Sequence, residues 1–199
     1  MRDGEKPAVH GSLFVVSAPS GGGKRTVLRK VLDRDGKAEY GVSATTRPPR
    51  PGEVEGQDYF FLSQDEFQRR IKAGEFVEWA DVHGNLYGTL RSELKRVTAS
   101  GRDVFLELDV QGMRNLRNAG IDAVSIFIMP PSLDALEARL RGRGTNDERD
   151  IAVRMRNAEA ELDARKEFDY VVINDDVDTA VADVEAIVRA RRLESARQP

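Results

Sequence analysis

SLFVVSAPSGGGKRT (Ser12–Thr26) passes from a short apolar run into a glycine-rich loop that ends in a lysine. Leu13, Phe14, Val15 and Val16 offer no polar residue to a surface and read as a buried strand. Pro19 and Gly21-Gly22-Gly23 forbid that strand to continue and let the backbone turn tightly, with amide N–H groups directed inward. After Lys24, Val27, Leu28, Val31 and Leu32 recur at helical spacing, which predicts a helix over Gly23–Leu32. Strand, loop and helix together make a phosphate cradle. Successive N–H groups and a helix N-terminus attract the anion, and Lys24 reaches its outer oxygens. A turn without a ligand is the competing reading, but it has no need of three glycines and a lysine at the mouth of a helix.

Ala18-Pro19-Ser20-Gly21-Gly22-Gly23-Lys24-Arg25-Thr26 are thus the candidate nucleotide-phosphate contacts. Ala18 stands where such loops usually open with glycine, and Arg25 where a serine or threonine usually follows the lysine. That hydroxyl normally helps to hold Mg²⁺. Thr26, one place later, is the nearest replacement, directly or through water.

The 199 residues fit one domain with a substantial core. A net charge of −3 argues against a general nucleic-acid binder. The absence of cysteine excludes disulfides and thiolate metal sites and is compatible with a reducing cytosol. MRDGEKPAVHG at the start has no apolar segment of signal-peptide length, and no run approaches membrane-spanning length. The expectation is a soluble cytoplasmic protein without a membrane partner. His10 and His83 lie far apart, give no metal-binding spacing, and are expected at surface or loop positions.

Along the chain, β-rich segments are expected at Gly41–Thr45, Asp58–Leu62 and Phe76–Val82. Ser63-Gln64-Asp65-Glu66 is a capping box that opens a helix through Phe67 and Ile71, closed by Gly74. A helix over Leu90–Thr98, a strand at Val104–Leu108, a helix at Met113–Asn118 and a strand at Val124–Met129 follow. Pro130-Pro131-Ser132 starts a helix with Leu133, Leu136 and Leu140 on one face. Thr145-Asn146-Asp147-Glu148 is a second capping box, Tyr170–Ile173 a strand, and Val177–Leu193 an amphipathic helix. The fold class is therefore α/β, a parallel sheet covered by helices, with an inserted β-rich lobe and a helical lid. The single domain spans 10–195: a core of 10–40, 90–133 and 166–195, a lobe of 41–89 and a lid of 134–165.

Three further constellations carry chemistry. Thr45-Thr46-Arg47-Pro48-Pro49-Arg50-Pro51-Gly52-Glu53 sets two arginines on a chain stiffened by three prolines, ready for a phosphate monoester, with Tyr59 and Tyr87 as hydroxyl donors. Asp109, at the carboxyl end of an apolar strand, is a candidate for positioning Mg²⁺, and Glu107 for the nucleotide or metal environment. A helix cap is the competing account of Asp109. Arg139, Arg143 and Arg154 flank a glycine-rich break and suit a lid that closes over transferring phosphates, whereas surface salt bridges account for Arg141, Arg149 and Arg156. Glu78 could accept paired hydrogen bonds from the N1–H and 2-amino groups of guanine. Taken alone, it would sit on a strand's solvent face.

Together SAPSGGGK, VSATTRPPRPGEVEGQDYFF, EFVEWADVHGNLYGT, LELDVQG, PPSLDALEARLRGRGT and VVINDD resemble the guanylate kinase family from about residue 12 to 190. The resemblance implies that Ser43, Glu78 and Thr89 contact guanine. It implies that Arg47, Arg50, Tyr59 and Tyr87 hold the GMP phosphate, with Glu53 and Glu107 on the GMP side and Asp109 on the GMP and metal side. Lys24 and the glycine backbone would bind ATP phosphates, Arg139, Arg143 and Arg154 would close on them, and Asn174 would lie near adenine. Lys24, Arg47, Arg139, Arg143 and Arg154 are the catalytic candidates; Thr26 and Asp109 are the metal candidates. The implied reaction moves the γ-phosphoryl group of ATP to GMP, with Mg²⁺ as cofactor. Arg25 and Glu107 depart from the family's usual residues. A scaffold-type binding module that keeps the GMP site and loses the ATP side is the rival reading, and a kinase for another phosphorylated acceptor is the second.

Overall fold

The computed structural model describes residues 11–82, 84–142 and 148–194. His10, His83, Arg143 and the Thr145–Asp147 part of the second capping box lie outside the described residues. β1 (Leu13–Ser17) is buried at every position. After the glycine turn, α1 (Lys24–Arg34) buries Val27, Leu28 and Val31. It runs past the expected end at Leu32 and stops where the Asp35 N–H bonds back to the Val31 carbonyl at 2.9 Å.

The remaining core strands are β2 (Ala38–Tyr40), β7 (Asp103–Glu107), β8 (Val124–Met129) and β9 (Tyr170–Ile173). With β1 they form one sheet in the order β2-β7-β1-β8-β9. The β2–β7 and β8–β9 pairs are parallel, as alternating strands and helices require. A second sheet, β4-β3-β6-β5, holds β3 (Ala44–Thr45), β4 (Phe60–Phe61), β5 (Phe76–Val82) and β6 (Asn85–Leu90).

The chain divides into two compact units, one of residues 11–14 and 37–123, the other of 15–36 and 124–194. In the first, α2 (Gln64–Lys72), α3 (Arg91–Thr98) and α4 (Val110–Asn118) accompany the strands. Ala44, Phe67, Phe76, Leu86 and Leu90 make the core of the β-rich lobe. There the Phe67 and Phe76 rings stack with centroids 4.3 Å apart, and each buried ring contributes about 2 kcal/mol through area removed from water. Ser63 caps α2 by accepting the Glu66 N–H at 3.2 Å. In the second unit, α5 (Leu133–Gly142) packs on α6 (Glu148–Asp163), and α1 on α7 (Val177–Arg192). Leu136 and Leu140 are fully buried, but Leu133 is exposed, so the expected apolar face of α5 is shorter by one turn.

Of the expected lobe strands, β5 keeps the bounds Phe76–Val82, whereas β3 and β4 are shorter than the expected Gly41–Thr45 and Asp58–Leu62. Gly41 N–H bonds to the Phe105 carbonyl at 2.8 Å and Val42 N–H to Glu93 Oε1 at 3.3 Å, so these residues leave the lobe ladder. β6 belongs to the lobe throughout: Leu90 pairs with Phe76 and ends the strand, and α3 begins one residue later.

Candidate active site

The glycine loop follows directly from the end of β1. Gly22 N–H bonds to the Pro19 carbonyl at 2.8 Å, which closes the turn. Gly21 and Gly23 have φ of 96° and 88°, a backbone region that side chains disfavour. A Cβ on Gly23 would lie 2.1 Å from Asn174 Nδ2, so glycine is required there on steric grounds as well. α2, α4 and α7 are capped by the side chains of Ser63, Asp109 and Asp176. α1 has no side-chain cap and no acid in its first turn. The positive dipole end of this helix favours an anion. Lys24 opens that helix half-buried, and Arg25 and Thr26 are exposed.

Asn174 is 2% exposed and sits beside this loop. Its Nδ2 donates to the Gly22 carbonyl at 2.9 Å, and its own carbonyl accepts from Arg139 Nη2 at 2.8 Å. Asn174 Oδ1 and Arg139 Nη1 are buried without a hydrogen-bond partner. Arg154 Nη1 donates to Ser20 Oγ at 3.2 Å. Two of the three expected lid arginines thus touch the loop or its neighbour. Arg141 instead pairs with Glu137 at 2.8 Å and with Glu148.

In the other unit, Arg47 Nη2 donates to both carboxylate oxygens of Glu53 at 2.9 Å, and Arg50 N–H donates to Glu53 Oε2 at 2.7 Å. Glu53 therefore folds the proline-stiffened segment onto itself. The Arg47 guanidinium lies 5.4 Å from the Tyr59 ring centroid and 6.0 Å from that of Phe61. Burial works against its charge, but the Glu53 and Tyr87 hydrogen bonds outweigh that and raise it above the ordinary arginine value. Tyr59 and Tyr87 meet edge to face at 6.0 Å, and Arg50 remains exposed.

Glu78 is 5% exposed, against the solvent-face reading of its strand. Phe76, Val77 and Glu78 are all buried because the β5–β6 register shifts between Phe76 and Glu78. Thr89, its cross-strand partner, donates from Oγ1 to Glu78 Oε1 at 2.7 Å. Burial pushes the Glu78 carboxyl up to about 7; Thr89 opposes this rise and the Asp109 charge adds to it. Ser43 is also buried, and its carbonyl accepts the Phe60 N–H at 2.9 Å.

Asp109 caps α4 by accepting the Gly112 N–H at 2.7 Å, so the capping account holds for this residue. It is nonetheless exposed, and Glu107 ends β7 half-buried. Among the described residues no three His, Asp or Glu side chains are grouped as a metal cage.

Three contributors escaped the sequence reading. Gly112 lets α4 approach the lobe: a Cβ there would lie 3.3 Å from Glu78 Oε2 and 3.2 Å from Asp109 Oδ1. Phe61 adds a second ring near Arg47. The Gly22–Asn174 bond joins residues 152 apart, and no local pattern could announce it.

A buried strand, a left-handed glycine turn and an uncapped helix beginning at a lysine define a P-loop nucleotide-binding protein of the α/β class. The guanylate kinase family model matches residues 10–191. The chain belongs to the guanylate kinase family. It is 48% identical over 192 residues to a guanylate kinase of Idiomarina loihiensis, covering 96% of this chain and 91% of the relative. It is 48% identical over 190 residues to that of Escherichia coli, covering 94% and 92%. The crystal structure of guanylate kinase from Anaplasma phagocytophilum superposes with a TM-score of 0.77 at 34% identity, covering 96% of this chain and 90% of that one.

Proposed function

We propose that this protein transfers the γ-phosphoryl group of ATP to the phosphate of GMP, giving ADP and GDP. The observation that carries the acceptor is Glu78, a carboxylate buried on the lobe beside Thr89. Ionised, it offers two parallel acceptor positions to guanine N1–H and the 2-amino group, which adenine cannot fill. Ser43 and Thr89 complete the base contacts. Arg47, Arg50, Tyr59 and Tyr87 take the GMP phosphate, and Glu53 fixes the Arg47 guanidinium and the Arg50 backbone. Glu107 lines the GMP side.

On the donor side the backbone of residues 18–26 receives the triphosphate, with Lys24 on its outer oxygens and Asn174 beside the adenine nucleotide. Arg139, Arg143 and Arg154 close on the phosphates from the lid of 134–165; the lobe of 41–89 carries GMP, and the core is the rest of 10–195. An ionised phosphate oxygen is already a nucleophile, so no general base and no covalent intermediate are needed. Lys24 and the arginines screen repulsion between two polyanions held in line. The Thr26 hydroxyl and the Asp109 carboxylate, the metal candidates of the sequence, are each an oxygen donor of the kind Mg²⁺ takes, and the ion would arrive with ATP and keep several waters. Bound there, it would neutralise charge on the phosphate oxygens.

The test is ADP production from ATP and Mg²⁺ with GMP, AMP, CMP and UMP offered separately. Strong turnover with GMP alone is expected. GMP binding without turnover would overturn the kinase reading in favour of a binding module, and turnover with another acceptor would overturn the role of Glu78.

A further inference from the structure

We propose that Asn174 is the positioning residue of the phosphate loop, acting through the Gly22 carbonyl to fix the peptide that presents the Gly23 N–H. The inference rests on the assignment of the loop to ATP phosphates and adds what holds that loop in shape.

Asn174 is itself firmly placed. It follows β9, is 2% exposed, and its N–H bonds to the Met129 carbonyl at the end of β8 at 2.8 Å. Arg139 Nη2 grips its carbonyl at 2.8 Å, which ties it to α5. From this fixed base the Nδ2 group donates to the Gly22 carbonyl at 2.9 Å.

The peptide between Gly22 and Gly23 is trans, so its C=O and N–H point in opposite directions. A carbonyl held toward Asn174 therefore turns the Gly23 N–H to the other side. A flip of that peptide would exchange a donor for an acceptor, and an acceptor repels phosphate. Three successive glycines make such a flip easy, because glycine adopts either sign of φ at little cost. The loop alone cannot choose between the two orientations; the amide of Asn174 can. The same amide lies where a Gly23 Cβ would be, 2.1 Å from it, so the side chain is packed on the loop and not merely near it.

The family resemblance places Asn174 near adenine, and the two roles make different predictions. Asn174→Ala and the similarly sized Asn174→Leu would each be measured for binding of ATP, of ITP (the same triphosphate on hypoxanthine) and of inorganic tripolyphosphate. GMP affinity and thermal unfolding would be followed alongside. If Asn174 acts through Gly22, all three phosphate probes weaken together by roughly 10- to 100-fold, while GMP affinity and the melting temperature hold. A loss confined to ATP would make Asn174 an adenine contact and overturn the proposal, as would unchanged binding of all three. The leucine variant fills the volume that alanine empties, and it decides the matter should the alanine variant fail to fold. If the unsubstituted protein bound GMP but none of the three probes, the ATP assignment would fall, and the proposal with it.

Discussion

Thr89 donates its hydroxyl hydrogen to Glu78 Oε1 at 2.7 Å, between side chains that are 0% and 5% exposed. Burial, opposed by this bond, leaves the Glu78 carboxyl titrating near 7. Guanine donates two hydrogens, so it selects the ionised form, and GMP binding at acidic pH must expel a proton. The KM for GMP is therefore expected to fall as pH rises from 6 and to level off above about 7. Glu78→Gln should raise that KM and flatten its pH profile, with the KM for ATP unchanged. Steady-state kinetics between pH 6 and 8.5 would show it, and a flat profile in the unsubstituted protein would rule the carboxylate out.

The same carboxyl sets a stability profile of definite sign. Its folded value lies above the ordinary carboxylate value, so the native state holds the proton more tightly than the unfolded chain. The stability this gives is full below about pH 4.5 and is lost as pH rises through about 7. Glu78→Gln, which cannot ionise, should unfold at higher urea than the parent at pH 8, by roughly 1–3 kcal/mol, with no gain at pH 4.5. Equal differences at both pH values would count against the buried titration.

Glu53 orders Arg47 and the Arg50 N–H together. Glu53→Ala should weaken GMP by about 5- to 50-fold through loss of a prearranged phosphate fork. Guanosine, which lacks the phosphate, should bind as before. Calorimetry with both ligands separates this from general damage to the lobe, in which guanosine would weaken too.

Asp109 serves α4 as a cap whatever else it does. Asparagine caps a helix about as well as aspartate, so Asp109→Asn should unfold within about 0.5 kcal/mol of the parent. Turnover should nevertheless fall at least about tenfold and require more Mg²⁺, because an amide is a poorer ligand for a hard cation. Unchanged turnover and Mg²⁺ dependence would leave Asp109 a cap alone.

Lys24 opens α1 at the end of the glycine loop. Lys24→Met should reduce kcat by about 100-fold or more and leave GMP affinity as it was, as measured by single-turnover kinetics and equilibrium binding. Strong residual turnover would undo the cradle assignment.

The glycine loop was legible because its physics is local: an apolar run, a turn only glycine permits, and a lysine at a helix mouth lie within Ser12–Thr26. Arg47 and Arg50 were legible as a pair for the same reason, since Pro48, Pro49 and Pro51 stiffen the chain around them, but the bonds of Glu53 to both were not. β2 was missed because it is a three-residue strand just before Gly41, and its place is set by pairing with β7 far along the chain. β6 was missed because Asn85 and Gly88 weaken its strand pattern and Leu90 reads as readily as a helix start. Gly88 is needed there, since a Cβ would meet Phe76 Cδ1 at 2.8 Å, a crowding that sequence alone does not register. The register shift at Glu78 was not legible, because even alternation would have put Glu78 on the face of Phe76, toward the apolar core of the lobe.

That last point bears on how acceptor choice can be inherited or engineered. With Phe76, Val77 and Glu78 all buried in succession across a register shift, the identity of residue 78 is only half of the instruction. Replacing this stretch with an idealised, evenly pleated strand, glutamate included, would turn the carboxylate toward the Phe76 and Leu90 side, into the apolar core of the lobe. On the proposed role of Glu78, selectivity for the base depends on an irregularity of the main chain as well as on the side chain placed there.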